Sequence, residues 1–260
     1  MPPRVVLLLG KKPRPGTIVA EASQLLAARG LSCEVRLPHE ERVDAADLRG
    51  ADLVVHRGLS PEAAPLLGAL AADGTALCNP WAGMLHLRDR AVLHAALVRL
   101  QVPVSGAVVV PTWPDALAQA RLRPVVVKAV SGPGRGRGVV TFPLPDDPPT
   151  PGPYLVEDRV EHDGLDRKLY VAGDVVVKLL KPSTLTAGHR TDGTPVTVEP
   201  GLAALARSTA AGLGLHLLGV DVVMGPDGPV VVDVNAFPGY RGVPGAARAV
   251  AEHVAAHASR

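Results

Sequence analysis

The chain has 260 residues, of which 47% are hydrophobic and 3% are aromatic. This composition predicts a globular protein with a core built mainly of valine, leucine and alanine, in one compact domain or in two to three small lobes. Its 27 lysine and arginine residues nearly balance its 25 aspartate and glutamate residues. The overall charge therefore gives no reason to expect a nucleic-acid partner.

The cysteine content and the N-terminal apolar run bear on the compartment. Cys33 and Cys78 are far apart in the sequence and form no metal-type pair, which favours a reducing cytoplasm over a disulfide framework. The apolar run near the N-terminus stops at Gly10 and is too short for a signal segment or a membrane span. We therefore expect a cytoplasmic protein without a membrane partner.

The first 80 residues alternate between strand and helix patterns. Short apolar runs and amphipathic stretches predict, in order, a strand at 4–9, a helix at 17–29, strands at 32–37 and 52–56, and a helix at 61–73. This alternation is typical of a parallel sheet with helical connections. The predicted fold class is α/β, with a Rossmann-like N-terminal lobe at residues 1–80.

The next segment, residues 81–160, predicts a central lobe. Its expected elements are helices at 88–100 and 114–121 and strands at 105–110, 124–130, 139–142 and 154–160. The connection at 143–153 is the richest in proline, and proline excludes both a helix interior and a central strand. We expect this connection to lie on the surface.

The remaining residues, 161–260, predict a C-terminal lobe. The expected elements are strands at 168–172 and 174–181, a polar loop at 182–199, a helix at 202–212, strands at 217–224 and 229–234, and a helix at 244–258. Two short turns are expected to join paired strands here. They are the dipeptide Gly173–Asp174 and the sequence GPDG at 225–228.

A glycine-rich loop follows the strand at 124–130. The segment VVVKAVSGPGRGRGVV places Lys128 on the strand, and Arg135 and Arg137 in the loop. Glycine lets a backbone approach a phosphate closely, and the cations would balance its charge. A strand follows the loop, which excludes both a P-loop and a dinucleotide fingerprint. The alternative is a plain hairpin with solvated arginines.

Two acids and an asparagine occupy the C-terminal hairpin. Asp221 lies on its first strand, and Asp233 and Asn235 lie on one face of the second. The strands are otherwise very apolar, and an unpaired carboxylate would be costly there. Three oxygen donors on one hairpin suit Mg²⁺, so we expect a metal site. The alternative is a polar hairpin with exposed acids.

The segment YLVEDRVEHDGLDRKLYVAGDVVVKLLKPS at 154–183 has the form of a strand that runs into a linker beside a nucleotide. Glu157 could accept from an adenine amino group, and the backbone at Val160 could serve the ring. Further along, Arg167, Lys168 and Lys181 bring positive charge to successive strands. Alternation alone would expose about half of such residues to solvent.

The three motifs, in this order, resemble the ATP-grasp superfamily over about residues 75–250. The resemblance implies an ATP-grasp fold, ATP as a cofactor, and Mg²⁺ with Mn²⁺ as the alternative ion. It implies metal ligation by Asp221, Asp233 and Asn235. It implies nucleotide binding by Arg90, Lys128, Gly132, Gly134, Gly136, Gly138, Glu157, Val160 and Lys168. Catalysis in this superfamily depends mostly on positioning and charge neutralisation, here assigned to Lys128, Arg90 and Arg190.

Two branches of the superfamily look close. The stretch GLDRKLYVAGDVVV is similar to ribosomal protein S6 modification ligases, which join a carboxylate to an amine through an acyl phosphate, although Asp192 replaces their loop asparagine. The stretches VEHDGLDRKLYVAGD and DVNAFPGYRGVP resemble inositol trisphosphate 5/6-kinases, although SGPGRGRG lacks the kinase histidine. We favour the ligase over the kinase, and place a non-catalytic nucleotide-binding protein third.

A cationic pocket for a small anionic acceptor is expected. Its candidate residues are Lys11, Arg57, Lys181, His189, Arg190, Gly239 and Arg241. Such a pocket suits a carboxylate and a phosphorylated polyol equally well, and solvated surface charge is the alternative for each cation. The resemblance also implies a homo-oligomer.

Overall fold

A computed structural model describes residues 2–131, 139–141, 143–183 and 193–259. The described elements form three sheets, a four-stranded one, a second four-stranded one and a five-stranded one. None of these described sheets crosses the lobe boundaries expected near residues 80 and 160. The boundaries themselves remain predictions. Within the described ranges, no helix combines the length and the apolar character that crossing a membrane would require.

The first sheet is parallel, as the βαβαβ pattern predicted. Its elements are β1 (Arg4–Leu9), α1 (Ile18–Ala28), β2 (Ser32–Arg36), β3 (Leu53–Arg57), α2 (Ala64–Ala72) and β4 (Leu77–Cys78). The strand order is β2-β1-β3-β4, and all the pairings are parallel. Strand β1 is buried on both faces, which explains why its sequence is continuously apolar rather than alternating.

The final helix, α7 (Ala246–Ala258), returns to this first sheet. Its Val250 and Val254 belong to the same buried cluster as Val5 and Leu7 of β1. The other face of β1 packs against α2 through Leu8 and Leu70, among others. The C-terminus of the chain therefore completes the core of the N-terminal lobe.

The second sheet is antiparallel, in the order β5-β8-β6-β7. This part of the chain contains α3 (Trp81–His86), α4 (Arg90–Arg99), β5 (Ala107–Val110), α5 (Trp113–Leu122), β6 (Val125–Ala129), β7 (Val139–Thr141) and β8 (Tyr154–Asp158). The proline-rich connection at 143–153 contains neither helix nor strand and is mostly exposed, as predicted. Residue 142, the expected end of β7, lies outside the described residues.

The third sheet is antiparallel, in the order β11-β10-β9-β12-β13. Its elements are β9 (Leu165–Ala172), β10 (Val175–Pro182), β11 (Thr194–Val196), α6 (Pro200–Leu213), β12 (Leu217–Gly225) and β13 (Gly228–Ala236). The prediction of a polar loop over 182–199 was wrong at β11. This strand has three exposed residues, so its sequence has no burial pattern that would indicate a strand. The turn predicted at Gly173–Asp174 does join β9 to β10.

Candidate functional site

Lys128 links the second sheet to the third. It lies on the fully buried strand β6, and its side chain is 10% exposed. Its Nζ donates to the carbonyl oxygen of Val232 on β13 at 2.7 Å and pairs with Glu157 Oε2 on β8 at 2.5 Å. The strand lysine and the acidic hairpin therefore face each other, as an ATP-grasp arrangement requires.

An irregularity in the hairpin explains this contact. Asp221 lies opposite Asp233, but the next pair is Val222 with Val231, so Val232 is the additional residue of a β-bulge. A bulge interrupts the hydrogen-bonded ladder and redirects the local backbone. The carbonyl of Val232 accepts from Lys128, one residue away from Asp233.

A small cavity of about 20 Å³ lies at this junction. Its polar lining consists of Arg90, His94, Lys128, Glu157, Asp233 and the backbone of Val232. The Arg90 guanidinium at the start of α4 donates to the Ala129 carbonyl at 2.5 Å. The cavity has room for about one water molecule, so a nucleotide could enter only if the side chains lining it moved apart.

The second acid of the hairpin is charge-paired within the sheet. Asp221 lies opposite Lys168 of β9, and Lys168 Nζ donates to its carboxylate. Burial raises the pKa of Asp221; the Lys168 ammonium opposes this effect and the charge of Asp233 adds to it. Burial by itself would lower the pKa of Lys168, but the attraction of Asp221 outweighs it and raises that pKa.

The hairpin offers a donor set that fits Mg²⁺. Asn235 Nδ2 donates to Asp233 Oδ2 at 2.9 Å, which leaves the Asn235 amide oxygen and the second Asp233 oxygen as acceptors. Asp221 is on the adjacent strand, directly opposite Asp233. Carboxylate and amide oxygens are hard ligands of the kind that Mg²⁺ prefers, and burial keeps the pKa of Asp221 raised although Lys168 pairs with it.

The segment expected to serve an adenine ring follows β8. A methyl group at Gly225 would lie 3.0 Å from Val160 Cγ1, so this segment packs on the tip of the β12–β13 hairpin. Glu157, expected to contact the adenine amino group, is instead bound to Lys128 in this structure. The roles of Glu157, Val160 and Lys168 towards a nucleotide stay predictions.

Three of the predicted acceptor residues meet at the carboxyl edge of the parallel sheet. Arg57 ends β3, and its Nε donates to the Phe237 carbonyl at 3.0 Å. A methyl group at Gly239 would lie 3.5 Å from the Arg57 guanidinium. The backbone nitrogen of Gly10 donates to the Arg57 carbonyl at 3.0 Å, which places Lys11 at the same edge.

Two further predicted acceptor residues, Lys181 and Arg241, lie on and beside β10. Lys181 is 9% exposed and lies 3.8 Å from Asp166, while Arg241 is exposed. A methyl group at Gly242 would lie 3.8 Å from a side-chain carbon of Leu179 on β10, so Arg241 is close to this strand. The remaining predicted residues lie outside the described part of the chain: Gly132, Gly134, Arg135, Gly136, Arg137, Gly138, His189, Arg190 and Asp192.

Sequence reasoning missed one polar residue of the cavity. His94 lies on α4, one turn after Arg90, and its Nε2 is 3.0 Å from the Ser105 carbonyl. Positions i and i+4 share one face of a helix, so Arg90 could have indicated it. The pairing of Lys178 with Glu199 at 2.5 Å was also missed, but for a different reason: it depends on how α6 packs against the third sheet.

Comparisons with known proteins agree with this geometry. The family model of the inositol 1,3,4-trisphosphate 5/6-kinase ATP-grasp domain matches residues 189–256. Among solved structures, a RimK domain ATP-grasp protein from Sphaerobacter thermophilus is 25% identical, with a TM-score of 0.78 over 98% of this chain and 100% of the other. The chain has an ATP-grasp fold. The ATP-grasp ligase PsnB, solved with a minimal precursor, Mg and ADP, shares the fold at 17% identity and a TM-score of 0.69, over 98% of this chain and 97% of PsnB.

Curated relatives that this chain matches are named probable alpha-L-glutamate ligases. The protein from Sodalis glossinidius is 29% identical over 188 residues, which cover 65% of this chain and 63% of the relative. A protein from a Shewanella species is 27% identical over 191 residues, which cover 66% of this chain and 64% of the relative. The chain thus spans less than two thirds of the length of either relative.

Proposed function

We propose that this protein is an ATP-dependent carboxylate–amine ligase that acts through an acyl phosphate. The observation that carries the proposal is the contact of Lys128 with the bulge carbonyl of Val232. It joins the strand lysine to the hairpin of Asp233, with Arg90 lining the same cavity. The names of the curated relatives favour a ligase over a kinase.

The residues of the site would have different roles in phosphoryl transfer. Lys128 and Arg90 would bind the phosphates of ATP, and Glu157, once released from Lys128, would be available to the adenine amino group. Asp221, Asp233 and Asn235 would hold Mg²⁺, or Mn²⁺ in its place. When bound, the metal neutralises charge on the phosphates. Lys168 would keep Asp221 ionised and oriented towards Asp233.

The acceptor would be a small anion that carries a carboxylate. Lys11, Arg57 and Gly239 would form one edge of its pocket, and Lys181 and Arg241 another, with His189 and Arg190 as further candidates. The relatives named alpha-L-glutamate ligases suggest glutamate as one reactant, and PsnB, solved with a precursor peptide, suggests a peptide as the other. A cytoplasmic location and a homo-oligomer complete the proposal.

A small-molecule kinase is the second candidate, since the family model that matches residues 189–256 is that of a kinase domain. A nucleotide-binding protein without turnover is disfavoured, because binding alone does not need two acids and an asparagine on one hairpin.

The fate of the γ-phosphate tests these candidates. Purified protein would be incubated with Mg²⁺, γ-labelled ATP and a pool of amino acids, short peptides and polyol phosphates. Asp233→Asn removes one proposed metal ligand. Asp227→Asn, in the exposed turn of the same hairpin, is the matched control.

A ligase releases the label as inorganic phosphate, only when both a carboxylate and an amine are present. Asp233→Asn should lower this rate roughly 100-fold, and Asp227→Asn should leave it unchanged. Label retained in a phosphorylated organic product would indicate the kinase. ATP binding without turnover in any pool would indicate the regulator.

A further inference from the structure

A cluster of nitrogen and sulfur donors lies away from the candidate ATP site. Cys78 ends β4, His216 immediately precedes β12, and His253 lies on α7. One donor atom from each of these side chains lies within 4.8 Å of the other two. The three residues come from distant parts of the sequence, so spacing could not reveal the cluster.

A fourth donor adjoins it. His257 follows His253 by one helical turn, and the ring centroids of this pair are 4.0 Å apart. The His216 ring lies 4.9 Å from each of the other two. His257 Nδ1 is 2.8 Å from the His253 carbonyl. A metal-binding histidine commonly donates one ring N–H to such a carbonyl and coordinates through the other nitrogen, which here is Nε2.

The fold fixes these donors through neighbouring residues. Asn79, next to Cys78, accepts through Oδ1 from the backbone nitrogen of His216 at 2.8 Å. The backbone nitrogen of Gly173 donates to the His216 carbonyl at 3.0 Å. A methyl group at Gly173 would lie 2.7 Å from His253 Nδ1, so the glycine leaves room for this ring. Preorganised surroundings of this kind are typical of metal sites.

We propose that Cys78, His216, His253 and His257 bind one divalent cation of the zinc class. A thiolate with imidazoles is a donor set that zinc prefers, in tetrahedral geometry. Donor atoms in such a site are about 3.5 Å apart, so binding would draw the donors of Cys78, His216 and His253, which lie within 4.8 Å of one another, together by up to about 1 Å. Cys78 is fully buried, which suits a closed structural site rather than one that is open to substrate.

The proposed site is separate from the candidate ATP site. His216 precedes Asp221 by five positions along β12, which corresponds to about 16 Å of extended chain. The cation would join β4 of the first sheet, β12 of the third sheet and α7. This proposal goes beyond the ligase function and does not depend on it.

Binding would displace a proton. A cysteine thiol keeps its proton at neutral pH unless a neighbouring charge or a metal ion stabilises the thiolate. When the S–H bond is replaced by a sulfur–metal bond, the proton passes to solvent. No oxidation or reduction is involved.

The test begins with the wild-type chain. Metal content would be measured after purification and after chelation, and the stripped protein would be titrated with Zn²⁺ and with Co²⁺. We expect about one equivalent of either ion, and a Co²⁺ spectrum with a thiolate charge-transfer band and tetrahedral d–d bands. A wild-type protein that binds neither ion tightly would overturn the proposal.

Matched variants assign the ligands. Cys78→Ser should abolish the thiolate band and Cys33→Ser, on β2, should retain it. His253→Ala should lose the ion and His39→Ala, at an exposed position, should bind as wild type does. If Cys78→Ser fails to fold, His257→Ala tests the site in its place. Its affinity for Zn²⁺ and Co²⁺ should fall by at least about tenfold. Unchanged affinity in His257→Ala, or a thiolate band lost only in Cys33→Ser, would contradict the assignment.

Discussion

At the scale of single residues, motif chemistry proposed a set of site residues, and the structure shows how several of them are paired. Lys128 and Glu157 were both expected to bind ATP, and they are bound to each other. Strand order decides this pairing, because β6 and β8 are neighbours, and local sequence does not encode strand order. The pairing of Lys168 with Asp221 was missed for the same reason.

The Lys128–Glu157 pair should contribute to stability. Both side chains are almost buried, at 10% and 12% exposure, so Lys128→Met leaves a buried carboxylate without its partner. We expect the free energy of unfolding to fall by about 3 kcal/mol, measured by urea denaturation. The double variant Lys128→Met/Glu157→Leu should recover most of this loss. Equal stability of the single variant and the wild type would show that the pair contributes nothing.

A second charge pair should make stability depend on pH. Arg167 forms hydrogen bonds to both carboxylate oxygens of Asp163 and lowers its pKa to about 2. A lowered pKa stabilises the fold above the unfolded-state value of about 4, and the effect is lost as the pH falls to about 2. Asp163 is 42% exposed, so Asp163→Asn should cost less than about 1 kcal/mol at neutral pH. Thermal unfolding would measure the difference in stability between Asp163→Asn and the wild type. A difference that persists at about pH 2 would contradict the role assigned to the Asp163 carboxylate.

At the scale of elements, long periodic stretches were predicted well and short ones were missed. Strand β1 is a continuous apolar run of six residues and helix α1 spans eleven residues, so each is long enough to be recognised in the sequence. The missed elements are β4, α3 and β11, which have two, six and three residues and are held by tertiary contacts. The bulge at Val232 was likewise missed, because no glycine marks it in the sequence.

The contact between α3 and the end of α6 is one such tertiary constraint. A methyl group at Gly83 would lie 2.6 Å from the carbonyl oxygens of Leu213 and Gly214. Gly83→Ala should therefore destabilise the protein by about 1–3 kcal/mol. Gly201→Ala, in the first turn of α6 with no atom within 4 Å, should stabilise it by about 0.5 kcal/mol. Denaturant unfolding compares the two, and equal effects would contradict the close packing at Gly83.

At the scale of the whole molecule, the sequence predicted the parallel lobe and the ATP-grasp fold but not the way in which the lobes are joined. Helix α7 completes the first core, although it is the last element of the chain. Asn79 connects the first sheet to the third: its side chain bonds His216 and Leu217. Contacts so distant in sequence leave no local pattern that could be recognised.

This junction gives a prediction for the entire fold. Asn79 is 1% exposed, and Asn79→Ala would leave the backbone groups of His216 and Leu217 without these partners. Each buried polar group left unsatisfied costs about 1–3 kcal/mol, so the variant should be destabilised by at least about 3 kcal/mol. Hydrogen exchange should show faster exchange first at the start of β12. A variant with wild-type stability and exchange would show that Asn79 does not hold the lobes together.

The transfer of carboxylate oxygen tests the ligase function most directly. The protein would be given Mg-ATP, an amine, and amino acids or peptides whose carboxylates carry heavy oxygen, and the released phosphate would be analysed by mass spectrometry. An acyl phosphate that is displaced by an amine transfers one carboxylate oxygen to the phosphate. We therefore expect one heavy oxygen in each phosphate released, with no such product from Asp233→Asn. Phosphate without heavy oxygen, formed while an amide accumulates, would contradict the acyl phosphate mechanism.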